Sequence, residues 1–100
     1  MSKLELSIPH QLDKEQAVSR IRNLLANLAT EHAGTISNVK EEWNGSRGDF
    51  AFSAKGFDLS GKINVNDQDV QIDADLPFAV SLFSGAIKRI IQERAEELLR

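Results

Sequence analysis

Residues 50–76 read FAFSAKGFDLSGKINVNDQDVQIDADL, and apolar residues occupy alternate positions through most of this stretch. Such alternation is typical of β-strands that have one buried and one solvated face. Lys55-Gly56 and Asn66–Asp69 interrupt the alternation with residues that favour turns. The stretch therefore predicts three consecutive antiparallel strands whose apolar side chains lie on one face of a sheet.

The two predicted turns agree on which face of the sheet is buried. The first turn, of two residues, places Ala54 opposite Phe57. The second turn, of four residues, places Val65 opposite Val70. Residues directly opposite one another share a face, so both pairings bring apolar residues to the same side. A slip of one residue would expose the whole apolar set.

Two further strands are predicted on the N-terminal side of this stretch. Leu4, Leu6 and Ile8 alternate with polar residues, which predicts a first strand ending near Pro9. Residues 35–43 predict either an edge strand or a strand with a bulge, because their apolar residues do not keep one parity. Asn44-Gly45 then predicts a turn into the central strands.

A helix is predicted between the first two strands. Asp13 is its predicted N-cap, and Gln16 is the capping-box partner three residues later. From Ala17 to Leu28 apolar residues recur at helical spacing. His32 falls in the last predicted turn, before the chain enters the second strand.

A second, longer helix is predicted over residues 81–99. Its buried side is expected to follow a slowly rotating stripe made of Phe83, Ile87, Ile90, Ile91, Arg94 and Leu98. Such a helix is about 28 Å long, which is enough to cover the apolar face of the sheet. We therefore expect Ile87 and Ile90 to be buried against the sheet. The opposite face carries Lys62, Gln71, Asp73 and Asp75, and should face water.

Together these elements predict a single α+β domain over residues 1–100, with the element order β-α-β-β-β-β-α. The five strands should form one antiparallel sheet of order 2-3-4-5-1. Both helices should pack on the same face of that sheet. The first strand pairs with the fifth in this prediction, because those two strands run in opposite directions.

Composition excludes several classes of function. The chain has 100 residues, of which 41% are hydrophobic and 27% charged, as in ordinary globular domains. A net charge of −3 argues against nucleic acid as a partner. Cysteine is absent, which excludes disulfides and thiolate chemistry. No secretory signal or transmembrane segment is recognisable, so we expect a cytoplasmic protein.

The sequence predicts neither an enzyme nor a metal or cofactor site. His10 could act as a general base oriented by Asp13, but no activated nucleophile accompanies them, and a bond to loop backbone is the favoured interpretation. A calcium site is the functional alternative for four acidic residues, but their spacing is not that of a calcium loop. A solvated sheet face is the favoured interpretation of Asp67, Asp69, Asp73 and Asp75.

The segment between the last strand and the last helix is unusually apolar. Residues 76–83 place five large apolar side chains around a proline. Either this segment closes the core, or part of it is a contact surface for a granule, an acyl chain or a protein. Phe78 and Leu82 are the candidates for exposure, and Trp43 beside a turn is a further candidate.

Several segments resemble the polyhydroxyalkanoic acid system protein family, whose members are small bacterial proteins. The similar stretches are Ile8–Leu12 leading into Glu15–Val18, Leu76–Val80 leading into the last helix, and the alternation around Gly61–Val65. The resemblance implies a location near polyhydroxyalkanoate storage granules and implies no catalytic residue. The layout also resembles a reduced helix-grip domain, a class whose larger members hold apolar ligands between sheet and long helix.

Two functions follow as hypotheses. The first is a non-enzymatic accessory protein that binds the polyhydroxyalkanoate granule surface or phasin-type granule proteins. Replacing Phe78 and Leu82 by serine should then release it without unfolding it. The second is a small domain that binds an apolar ligand between the sheet and the last helix. A hydrophobic cavity would favour the second hypothesis, and a filled core with exposed Phe78 or Leu82 would favour the first.

Overall fold

The computed structural model describes residues 2–54 and 56–100, except for the side chains of Ser2, Phe78 and Ser81. Lys55 of the first predicted turn lies outside the described residues. The strands are β1 Ser2–Pro9, β2 Ile36–Asn44, β3 Arg47–Ala54, β4 Phe57–Val65 and β5 Asp69–Leu76. The helices are α1 Lys14–Ile21, α2 Leu24–Glu31, a 3₁₀ helix Phe78–Phe83, and α3 Ser84–Leu98.

The five strands form one antiparallel sheet in the order β1-β5-β4-β3-β2, which confirms the predicted topology. The predicted registers are also confirmed, since Ala54 lies opposite Phe57 and Val65 lies opposite Val70. Along the strands, apolar residues at alternate positions are buried on the face that the helices cover. The outward-facing residues of β5 alternate with them and are exposed.

Strand β2 combines both predicted alternatives, because it is an edge strand and it also contains a bulge. Its register against β3 shifts between Ser37 and Lys40. Asn38 has a φ of 54° at this point, a left-handed conformation that asparagine tolerates better than most residues. The shift moves the apolar residues of β2 from one parity to the other, which explains the irregular pattern in the sequence.

The predicted first helix begins as expected but is interrupted. The Gln16 backbone N–H donates to Asp13 Oδ1 at 2.8 Å, which confirms the N-cap. The interruption falls at Asn23, whose side-chain amide donates to the carbonyl of Ser19 at 3.4 Å. In a continuous helix that carbonyl would accept from the Asn23 backbone, which here bonds to Arg20 instead. The chain therefore continues as two helices, α1 and α2.

The last helix differs from its prediction in two respects. It begins at Ser84 because the preceding six residues form the 3₁₀ helix. Its buried residues are Ile91 and Ala95, whereas Phe83 is 58% exposed and Ile90 is 39% exposed. The expectation that Phe83 and Ile90 are buried is therefore wrong. The second half of α3 supplies its core contacts, and the first half lies over a cavity.

Candidate apolar binding site

An open cavity of about 280 Å³ lies between the sheet and the first half of α3. Its lining comes from the end of α2, the facing ends of β3 and β4, the 3₁₀ helix and α3. Most of the lining side chains are apolar, and they include Leu28, Ile36, Phe52, Ala54, Phe57, Leu59, Val80, Phe83, Ala86, Ile87, Ile90 and Ile91. The cavity is therefore suited to apolar material rather than to a charged substrate.

Short side chains help to explain why the helix does not fill this space. Ala54 on β3 and Ala86 on α3 both line the cavity, and neither reaches far across it. Phe52 on the sheet is held by a stacked contact with Phe50, whose ring centroid lies 6.1 Å away. The two rings therefore pack on one another along β3. The sequence pattern placed Phe52 and Ala54 on the correct face but could not show the space above them.

Two polar residues stand at the edge of this apolar lining. His32 caps the C-terminus of α2, and Thr35 begins the entry into β2. The backbone between them is fixed, because the N–H groups of Thr35 and Ile36 both donate to the His32 carbonyl at 2.8 Å. In the described part of the chain, no protein group bonds to the His32 ring or the Thr35 hydroxyl. Both side chains are therefore available to a bound molecule.

Four large apolar side chains of the described residues are exposed, and three of them line the cavity. The four are Phe57, Leu82, Phe83 and Ile90, and we call these four residues the apolar rim. Phe57, Phe83 and Ile90 line the cavity directly, and Leu82 adjoins Phe83 in the 3₁₀ helix. The sequence suggested an apolar cavity and an exposed apolar surface as two separate hypotheses. In the structure the two features adjoin one another.

The predicted contact residues fall in different parts of the molecule. Leu82 is 86% exposed, and its role as a contact residue stays a prediction. The side chain of Phe78 lies outside the described residues, so its role as a contact residue also stays a prediction. Sequence reasoning missed Phe57 and Ile90, and it assigned Phe83 to the core. The position of Phe57 directly after a turn was a signal for exposure, since strand ends are less completely covered.

Trp43 lies at the other end of the sheet. It is opposite Gly48 at the start of β3, whereas the cavity borders Ala54 at the end of β3, about 20 Å along the strand. Its ring packs over Gly48. The Arg22 guanidinium lies over the same ring in a cation–π contact, 5.4 Å from the ring centroid. Partial burial raises the pKa of the neighbouring Glu41, against the opposing effects of a Trp43 hydrogen bond and of Arg22. Trp43 is thus engaged in packing and is not part of the apolar rim.

His10 is held by backbone groups, in agreement with the favoured interpretation. It is 7% exposed, and its Nε2 bonds to the Asn66 carbonyl at 2.9 Å. The Leu12 backbone N–H donates to its Nδ1 at 3.2 Å, so the Nε2 atom carries the proton. The Asp13 carboxylate caps α1 and accepts from Gln16 instead of orienting His10. The structure therefore does not bring the two residues together as a catalytic pair.

Of the acidic residues on β5, Asp69 has side-chain hydrogen-bond partners. Asp69 accepts hydrogen bonds from the side chains of Ser7 and Asn66, and Asp73 lies opposite Lys62 in the sheet. Over residues 2–54 and 56–100, no group of three or more His, Asp or Glu side chains is placed to hold a metal ion. Within the same ranges, no helix has the length and apolar character needed to cross a membrane.

Comparison with known proteins gives a family and a fold. A family model described as "Putative polyhydroxyalkanoic acid system protein" matches residues 4–99. The crystal structure of Ara h 8.0201 is similar to this chain, with a TM-score of 0.51 and 11% sequence identity. The superposition covers 98% of this chain and 97% of the other, and it identifies the fold as a helix-grip fold. No curated protein shows a significant match to the sequence.

Proposed function

Because the chain belongs to the polyhydroxyalkanoic acid system protein family, we propose that it is a non-enzymatic accessory protein of polyhydroxyalkanoate storage granules. In this proposal the protein associates with the apolar granule surface through the apolar rim. The observation that carries the proposal is that three of the four exposed large apolar side chains line one cavity, and that the fourth, Leu82, adjoins Phe83 in the 3₁₀ helix. The family relationship supports the location near granules, and the geometry supports the mode of contact.

The rest of the described surface is poorly suited to an apolar partner. The outward face of the sheet exposes Lys62, Gln71, Asp73 and Asp75. The outer side of α3 carries a groove lined by Lys88, Arg89, Gln92, Glu93 and Glu96. Desolvating such groups costs free energy unless each finds a partner. An apolar surface would therefore meet the protein at the rim with the least desolvation of polar groups.

The expected strength of the association follows from the area removed from water. Burying one large apolar side chain completely contributes roughly 1.5–3 kcal/mol. The rim residues are already partly covered in the free protein, except for Leu82 at 86% exposure. Leu82 therefore has the most to gain from contact, and the other three rim residues gain less. Association costs reduce this total, which makes the expected binding reversible.

A second function is favoured by the cavity itself. Its volume of about 280 Å³ approaches the lower end of the range for small-molecule sites, which is about 300–1,000 Å³. A helix-grip fold with an open apolar cavity is consistent with binding of a small apolar ligand between sheet and helix. This second function does not conflict with the first, since a ligand and a granule surface would approach through the same mouth.

The granule contact is tested by sedimenting the purified protein with protein-free polyhydroxyalkanoate particles. We expect Leu82→Ser to weaken the binding about tenfold or more, because the loss of one well-exposed apolar contact has that magnitude. Leu82→Ile is the matched control and should bind like the wild type. Phe57→Ser, on the other side of the mouth, should weaken binding in the same direction.

Thermal unfolding separates loss of contact from loss of fold. The side chain of Leu82 is almost fully exposed, so Leu82→Ser should change stability by less than about 0.5 kcal/mol. If Leu82→Ser and Phe57→Ser both stay folded and still sediment with the particles as the wild type does, the proposed contact surface is wrong. A protein that never sediments with protein-free particles would likewise contradict direct surface association.

A further inference from the structure

We propose that the cavity binds a single hydroxyalkanoic acid of medium chain length, with its oxygen-bearing end at His32 and Thr35. This inference rests on the proposed function for one point, the chemical class of the ligand. The site, its size and its polar edge come from the structure alone. The ligand is a free monomer inside the cavity, whereas the proposed granule contact takes place outside it at the apolar rim.

The size of the cavity limits the ligand to about eight carbon atoms. A protein cavity of about 150 Å³ lined by apolar residues holds one benzene molecule, which has six carbon atoms. In proportion, a cavity of about 280 Å³ holds about 11 non-hydrogen atoms. An eight-carbon hydroxyalkanoic acid has eight carbons and three oxygens, which matches this capacity. A single alkyl chain also fits a lining made of branched and aromatic side chains, since no polar group interrupts its middle.

The two polar lining residues indicate where the oxygen atoms lie. A threonine hydroxyl and a neutral imidazole can each donate and accept a hydrogen bond. No described protein group forms a hydrogen bond with either side chain, although both border an otherwise apolar space. Thr35 is exposed and His32 is half-buried, so a carboxylate placed beside them keeps its contact with water. The alkyl chain would then extend from this edge over Phe52 and Leu59.

The acidic side chain next to this edge has a cationic partner. The carboxylate nearest in the chain to His32 belongs to Glu31, and it is paired with the guanidinium of Arg94. Arg94 also pairs with Glu97 on α3 at 2.7 Å. Arg94 thus bridges Glu31 on α2 and Glu97 on α3, so the Glu31 carboxylate has a cationic partner that it shares with a second carboxylate. A ligand carboxylate at His32 and Thr35 would therefore not lie next to an unpaired Glu31 carboxylate.

The cavity is tested by calorimetric titration with linear 3-hydroxyalkanoic acids of four to twelve carbons. We expect affinity to rise with chain length to about eight carbons and then to level off, as the cavity becomes full. A negative heat-capacity change should accompany binding, since apolar surface is removed from water. The best ligand should also raise the midpoint of thermal unfolding, because it binds the folded state.

Two alanines of β3 provide a matched pair of variants. Ala54 lines the cavity, and Ala51 lies on the same strand on the outward face, opposite Ser60. Because side chains stand perpendicular to a sheet, Ala54→Phe should fill the cavity and weaken binding at least tenfold. Ala51→Phe adds the same bulk outside the cavity and should bind like the wild type. Equal binding by the two variants would overturn the cavity assignment, as would the absence of saturable binding to any acid in the wild type.

The polar edge is tested with a ligand pair that differs by one hydroxyl group. Wild-type protein should bind 3-hydroxyoctanoic acid several-fold more tightly than octanoic acid, and Thr35→Val should remove that preference. A preference that survives in Thr35→Val would show that the ligand hydroxyl lies elsewhere. Ala54→Phe leaves Leu82 in place and should still sediment with polyhydroxyalkanoate particles. Loss of monomer binding and loss of granule binding are therefore distinguishable.

Discussion

At the level of single residues, the ring of His10 joins the loop after β1 to the turn between β4 and β5. Its two nitrogen atoms bond to Asn66 and to Leu12, and its backbone N–H donates to the Gln68 carbonyl. The sequence indicated a loop histidine bonded to backbone groups. It could not identify Asn66 as a partner, because that residue is 56 positions away and the contact depends on how β1 pairs with β5.

Replacing His10 by alanine should cost about 1–3 kcal/mol, because the partly buried Asn66 carbonyl and Leu12 backbone N–H lose their partner. The measurement is urea unfolding followed by circular dichroism. His32→Ala is the control, since no described protein group bonds to that ring, and it should cost less than about 0.5 kcal/mol. Equal losses at the two histidines would mean that the bonds of His10 do not stabilise the fold.

Gly61 shows a residue requirement that comes from close packing within the sheet. A Cβ atom built at this position would lie 2.1 Å from the carbonyl oxygen of Asp73 and 2.6 Å from the ring of Phe50. Phe50 lies directly opposite Gly61, so its ring occupies the space that a side chain would need. Alternation in the sequence placed Gly61 on the apolar face, but only the structure shows why a larger residue does not fit there.

The variant Gly61→Ala should therefore lose about 3 kcal/mol or more, because backbone atoms of β5 must move to accept the methyl group. Gly85→Ala is the control, since nothing lies within 4 Å of a Cβ at that position in α3. Gly85→Ala should stabilise the protein by up to about 1 kcal/mol, as expected for glycine in a helix. Denaturant unfolding of both variants measures the difference. A loss below about 1 kcal/mol for Gly61→Ala would contradict the crowding.

At the level of elements, α3 shows what hydrophobic periodicity can and cannot predict. The period indicated which residues share a face of the helix, and the presence of a long last helix is confirmed. It did not indicate which half of that face meets the core. Contacts of α3 with β1 and α2 bury Ile91 and Ala95, whereas Ile90 remains 39% exposed beside the cavity. The break between α1 and α2 was missed for a similar reason, because it depends on a local bond of Asn23.

Two adjacent isoleucines of α3 should differ strongly in their contribution to stability. Ile91→Ala should cost about 2–5 kcal/mol, since Ile91 is 6% exposed and its truncation leaves a cavity. Ile90→Ala should cost less than about 1.5 kcal/mol, because 39% of the Ile90 side chain is already exposed to water and its truncation removes less buried surface. The two changes remove the same atoms from neighbouring positions of one helix, so helix propensity cancels. Similar losses in chemical unfolding would mean that α3 packs differently from this structure.

At the scale of the whole molecule, the strand order and the registers at the two predicted turns followed from the sequence, and a bulge in β2 was one of two predicted alternatives. The registers depend on alternation and turn length, which are local properties, whereas the pairing of β1 with β5 was predicted from the relative directions of the strands. The cavity did not follow, because alternation shows which side chains face the helices and not how far away the helices lie. Volume depends on the sum of many side chains from α2, α3 and the sheet. The candidate site was therefore predicted only in part, through Leu82 in the junction before α3.

The two halves of α3 differ in their contacts, and we therefore expect them to differ in local stability. Its second half is attached to the core by Ile91, Ala95 and the Arg94–Glu31 pair. The first half, residues 84–90, covers an open cavity and has no residue in the buried core. Segments with few buried apolar contacts open at a lower free energy than the rest of a fold. We expect the first half of α3 to open while its second half and the sheet stay closed.

Native-state hydrogen exchange measures this directly. Backbone amides of residues 88–90, which bond within the helix, should exchange at least tenfold faster than those of residues 94–97. The helix thus supplies its own control, since both groups have the same kind of hydrogen bond. Amides of β5, which pairs with β1 and β4 on its two sides, should be the slowest. Uniform protection along α3 would mean that its two halves open as one cooperative unit, and the expected difference in stability would then be wrong.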